Sequence, residues 1–103
     1  MDAREYLTTL TGRTIETYAG RPNTVLGIEG DDVIVATRRS PGGRPVPIAW
    51  VQDALDRLEA EGEVEVSVPS LGHRSAFVGA VLASVPGARF VSGSPPAVRL
   101  DRT

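Results

Sequence analysis

Cysteine and lysine are both absent from the 103-residue chain, and histidine occurs once. Without cysteine there is no disulfide, no thiol nucleophile and no cysteine-rich zinc site. Without lysine there is no Walker A lysine, no Schiff-base lysine and no lysine of the PD-(D/E)xK nuclease type. One histidine, His73, excludes a paired-histidine nuclease centre and leaves a His/Cys metal site short of ligands. Neither a Gly-x-Ser-x-Gly elbow nor a Gly-x-Gly-x-x-Gly loop occurs. Asp31-Asp32 is the one acidic pair of interest for a hard cation, but adjacent acids in a glycine turn read first as solvated turn residues. No catalytic residue, metal or cofactor is therefore expected. Aromatic residues make up 5% of the chain, so the core has to come from Val, Leu, Ile and Ala. No uncharged apolar run approaches the ~20 residues of a membrane span. The acidic N-terminus is not followed by an apolar segment of the signal-peptide kind. The expectation is a cytoplasmic protein without membrane contact.

What is present is one globular domain's worth of sequence, 41% hydrophobic and 23% charged. The net charge of −2 conceals an uneven distribution. Asp53, Asp56, Glu59, Glu61, Glu63 and Glu65 crowd one stretch with Arg57 as the only cation. From Val33 to Gln52 there is no carboxylate, while Arg38, Arg39 and Arg44 all fall there. Every fixed basic side chain is arginine. Its planar guanidinium makes bidentate contacts with phosphates and guanine edges.

Hydrophobic patterning predicts an α+β domain: a β-hairpin and a partly antiparallel sheet packed with three helices. Asp2 with Glu5 three residues on opens an N-terminal helix over 2–12, with Gly12 as its stop. Arg13 to Tyr18 alternates weakly around Ile15 and reads as an edge strand or a loop. Two β-branched runs around Glu29-Gly30-Asp31-Asp32 predict a hairpin over about 24–38, apolar on both faces. A Pro/Gly connection follows at 41–47. Ile48, Val51, Ala54, Leu55 and Leu58 share one face of a helix over about 47–60. Glu63 to Val68 alternates as a strand, and Pro69 to Ser75 reads as a loop. The helix over 75–85 carries no charge at all, so it belongs inside the fold. Its small residues Ala76, Gly79, Ala80 and Ala83 form a face suited to close helix approach, and hence to a dimer.

Binding chemistry survives the exclusions. Arg38-Arg39-Ser40 at a strand end, with Arg44 in the next loop, has the make-up of a phosphate-facing loop or of a solvated arginine pair. Arg21 and Asn23 lie in Gly20-Arg21-Pro22-Asn23, where asparagine reads adenine or serves a Pro-Asn turn. His73-Arg74-Ser75 stands at the start of the uncharged helix, where anions are favoured; Ser75 equally serves as N-cap. Trp50 sits at the rim of its helix's apolar face, to cap the core or to stack on a base, the core role being favoured.

Gly20-Arg21-Pro22-Asn23, Ile28 to Thr37, Val46 to Val51 and Arg74 to Leu82 together resemble the N-terminal head domain of ScoMcrA-like, modification-dependent HNH restriction endonucleases. The resemblance spans roughly residues 10–100 and rests on patterning rather than on a catalytic signature. It implies an accessory DNA-binding module of a restriction-type system, with modification recognition and cleavage in other domains. The expected partner is DNA, plain or modified. Arg21, Asn23, Arg38, Arg39, Ser40, Arg44, His73, Arg74 and Ser75 are the expected contacts. The alternative is a protein-interaction or dimerisation module using the small-residue helix, bound to a second copy or to partner domains of a larger nuclease.

Overall fold

The computed structural model describes residues 1–101, which form seven strands and four helices. The first sheet is antiparallel throughout, in the order β1 (Thr14–Glu16), β2 (Pro22–Glu29), β3 (Asp32–Ala36), β4 (Arg44–Pro47). β2 and β3 are the expected hairpin, closed by a two-residue turn in which Gly30 takes φ +58°. Positive φ at the first turn position is what glycine supplies in such hairpins. The hairpin starts earlier than its sequence suggests. Pro22 and Asn23, which read as a turn, are strand residues opposite Glu16 and Ile15. Pro22 is tolerated because it is the first residue of its strand. The proline-rich connection is also partly strand: Arg44 to Pro47 form the sheet's edge, with Pro45 opposite Ile34. An edge position spares Pro45 and Pro47 the ladder bonds they cannot donate.

Alternation sends Val25, Val33, Val35 and Val46 inward, each with no exposed surface. The outer face is partly covered by the chain itself. A Cβ on Gly43 would lie 2.6 Å from Ile34 Cγ2 and 2.9 Å from Leu26 Cδ1. Only glycine, here at φ +93°, lets the loop lie that close.

The second sheet, also antiparallel, is β5 (Glu63–Glu65), β7 (Ala97–Leu100), β6 (Ala88–Val91) in that order. The strand expected over 63–68 ends at Glu65. Ser67 then caps a single helical turn, α3 (Val68–Leu71), by accepting a hydrogen bond from the Ser70 N–H. Pro69 sits in that first turn, where its missing N–H costs little. The stretch read as a loop therefore contains a fourth helix.

The remaining helices are α1 (Ala3–Leu10), α2 (Ile48–Glu61) and α4 (Ser75–Ser84). Asp2 caps α1 through the Arg4 N–H at 3.0 Å, and the helix is shorter than the expected 2–12. After it, Gly12 at φ +83° turns the chain so that its N–H reaches Val25 O at 2.7 Å. α2 buries its expected stripe of Ile48, Val51, Ala54, Leu55 and Leu58, and Gly62 ends it in the left-handed conformation. Trp50 lies outside that stripe and is 41% exposed, so it is not core. Val51 and Ala54 already fill the inward positions of that turn, and the helical step carries residue 50 away from them.

α4 touches β1 of the first sheet, β6 and β7 of the second, and α2 beside it. That accounts for its lack of charge: Phe77 through Leu82 are all buried. Only the middle of its small-residue face is occupied from within the chain, Ala76 being exposed and Ala83 half-buried. A Cβ on Gly79 would come within 2.7 Å of Val66 Cγ1, and Ala80 is 2% exposed. A dimer packed through Gly79 and Ala80 therefore has no open face to use. Overpacking this contact should destabilise the domain. Gly79→Val is expected to cost roughly 1–3 kcal/mol, read as a lower urea midpoint at unchanged slope. In a Val66→Ala background the loss should be smaller, and equal losses would show that Val66 is not what restricts the position.

Candidate nucleic-acid interface

The first sheet changes character at one end. Along β1, β2 and β3 the inward positions are Ile15, Val25 and Val35. Two residues further along each chain towards this end stand Thr17, Asn23 and Thr37, with Asn23 opposite Ile15. Thr17 and Asn23 are each only 6% exposed. The core-facing surface thus becomes polar, and α4 does not fill the space over it.

Three segments close around that end. The β1–β2 turn is held by Thr17 N–H to Arg21 O at 3.0 Å and Arg21 N–H to Thr17 Oγ1 at 3.1 Å. Gly20 at φ +81° completes it. After β3, Thr37 N–H bonds Ser40 O at 3.1 Å, and Ser40 N–H returns to both Thr37 O and Thr37 Oγ1 at 3.2 Å. This leaves Arg38 and Arg39 at the tip of a closed turn. The third segment runs from α3 into α4. Arg57 of the acidic helix donates to Ser70 O at 2.7 Å and to Ser70 Oγ at 2.9 Å. That fork fixes α3, and with it the chain leading to His73 and Arg74.

The result is a cavity of about 480 Å³ lined by Thr17, Arg21, Pro22, Asn23, Thr37, Arg38, Arg39, His73, Arg74, Ala76 and Phe77. It has no carboxylate in its lining. The arginines divide cleanly. Arg4, Arg44, Arg57, Arg89 and Arg99 each donate to an oxygen elsewhere in the chain. Arg21, Arg38, Arg39 and Arg74 have no side-chain hydrogen bond or ion pair among the described residues, nor does His73; outside the cavity Arg13 shares that condition. Four like charges without counter-charges repel one another, and an anion entering between them relieves that repulsion. The start of α4 has no side-chain cap, and it adds the positive end of the helix dipole.

Asn23 differs from the arginines in being buried. Its Nδ2 makes one long bond to Arg21 O at 3.5 Å, the limit of a useful hydrogen bond. No fully buried side-chain polar atom among the described residues lacks a partner, so the carboxamide oxygen, which has none, keeps some accessible surface at a residue that lines the cavity.

Six residues singled out from sequence come together here: Arg21, Asn23, Arg38, Arg39, His73 and Arg74. Ser40, Arg44 and Ser75 do not line the cavity. The Arg44 Nε is bonded to Ser40 Oγ at 3.0 Å at the start of β4. Ser75 is the first helical residue and not the cap, which is Arg74. Thr17, Thr37 and Phe77 are lining residues that the sequence reading missed. The two threonines were visible as the next inward positions after Ile15 and Val35. Among the described residues no three His, Asp or Glu gather into a metal-binding group, and no helix is long and apolar enough to cross a membrane. Compared with known proteins, the chain matches no family model, no curated protein and no solved structure.

The Arg57 fork yields a test of how the third wall is held. Arg57→Ala should speed amide exchange at Leu71 and Gly72, whose N–H groups bond Ser67 O and Val68 O. Exchange elsewhere in α2 should change less, and unchanged protection at both positions would mean that the fork does not position the segment.

Proposed function

We propose that this domain binds DNA, with Arg21, Arg38, Arg39 and Arg74 neutralising backbone phosphates around the cavity. The observation that carries the reading is the gathering of four unpartnered arginines, without a carboxylate, around one recess. Phosphate is the anion that planar, multidentate guanidinium donors fit best. None of the acids of the 51–66 stretch lines the recess, so that pole does not oppose a polyanion there.

The wider role follows the resemblance: an accessory module of a modification-dependent restriction-type system, cleavage lying in other domains. Three of the four stretches that carry the resemblance contribute lining residues, namely Arg21 with Asn23, Thr37, and Arg74 with Phe77. That shared location supports one role for them. Catalysis by this chain is not part of the proposal.

Counterion release supplies the experiment. With about four phosphate contacts, log K should fall against log[salt] with a slope of about −3.6. Between 50 and 200 mM salt the same relation weakens duplex binding roughly 150-fold. Single Arg21→Ala, Arg39→Ala and Arg74→Ala changes should each reduce the slope by about one, on all sequences alike. Arg44→Ala should leave it nearly unchanged. No retardation of any duplex at 50 mM salt, plain or modified, would end this reading.

A further inference from the structure

The phosphate contacts do not account for the recess. A positive surface suffices to hold a DNA backbone, whereas a cavity of about 480 Å³ falls within the roughly 300–1,000 Å³ that encloses a whole small ligand. Its chemistry is also graded from mouth to floor. Arg21, Arg38, Arg39 and His73 are exposed, whereas Asn23 is 6% and Phe77 2% exposed. Charge stands at the rim, and the floor offers the Asn23 carboxamide and Thr17 beside apolar surface.

A stacked base presents its edge at the bottom of a groove, and a protein reads it with an element that protrudes, an α-helix or a β-ribbon. Asn23 does the opposite. It is recessed on the inward face of β2, behind a rim of arginines, and lines the cavity with a carboxamide oxygen that no protein donor satisfies. A base edge meets such a group only after leaving its stack. Pro22, Ala76 and Phe77 give the apolar wall against which an unstacked ring can rest. His73 and the guanidinium planes at the rim supply stacking partners of the kind used for splayed bases.

We infer that the cavity receives a single unstacked nucleotide of DNA, its phosphates held by the rim arginines and its base read at the floor by Asn23. Adenine is the base matched by a carboxamide, which pairs with an amino donor and a ring-nitrogen acceptor together. This inference rests on the DNA reading above and adds to it the state of the DNA that is bound.

The test places 2-aminopurine directly 3′ of an adenine in a duplex, where its fluorescence is quenched while its neighbour remains stacked. Adding the wild-type protein at low salt should raise the fluorescence several-fold. A single strand of the same sequence should bind about 10-fold tighter than the duplex, because no pairing or stacking need be broken. Free deoxyadenosine monophosphate should compete for the single strand better than inorganic phosphate does. Asn23→Leu should abolish the advantage of deoxyadenosine monophosphate over other nucleotides while keeping the salt slope of duplex binding. Duplex binding with the expected salt slope, but with unchanged fluorescence and no preference for the single strand, would overturn this inference and leave the DNA reading standing. No binding to duplex or single strand at low salt would overturn both.

Discussion

The need to keep an uncharged helix away from water shapes this domain more than any other constraint. α4 is ten residues long and carries no ionisable group, and everything between its end residues, Phe77 to Leu82, is buried. Each of its neighbours covers a different part: β1 from one sheet, β6 and β7 from the other, α2 along its flank and Val66 against Gly79. Two short sheets that share no strand are thereby joined into one core. The same placement brings the start of α4 to the end of the first sheet. His73 and Arg74 reach Arg21, Arg38 and Arg39 only because the helix behind them is enclosed by both sheets.

Charge in this molecule is sorted by whether it is spent internally. Arg89 pairs with Asp101, Arg99 with Glu63, and Arg4 with Asp31, each between different parts of the fold. Such exposed pairs add little stability individually, but they leave those arginines engaged. Arg57 has another use, as a fork on Ser70 that ties the acidic helix to α3, just ahead of the segment carrying His73 and Arg74. The cavity arginines stand out because nothing comparable is offered to them. A count of arginines by sequence segment would not separate the two groups, since Arg44 lies in the same acid-free stretch as Arg38 and Arg39 and yet bonds Ser40.

Much of the fold was legible where local chemistry and tertiary environment agree. The hairpin, the stripe of α2, the Gly62 stop and the burial of α4 all follow from period and glycine placement. The errors arose where two signals compete in a few residues. Pro22-Asn23 carries turn chemistry, but pairing with β1 holds it in a strand. Val64, Val66 and Val68 alternate as a strand would, but the serine cap at Ser67 and the proline at 69 turn the chain after Glu65. Trp50 was misplaced because an aromatic beside an apolar stripe resembles part of it. In the candidate site, the individual residues were legible as basic or hydrogen-bonding positions in loops. Their convergence was not, because it depends on the register that sets β1 beside β2 and β2 beside β3, on the approach of α4 to β1 and on the Arg57–Ser70 fork, none of which a single segment reveals.

The recess draws on residues 17–23, 37–39 and 73–77, segments far apart along the chain and brought together only by the complete core. Its walls come from the first sheet and from the chain leading into α4, so it is complete only when both are in place. Occupancy and global folding are therefore thermodynamically linked. Whatever binds only the closed recess stabilises both sheets and all the helices at once, by about 2.7 kcal/mol at a concentration 100 times its dissociation constant. For a domain expected to hold only ~5–15 kcal/mol in total, an occupied recess is a substantial part of what keeps the chain folded.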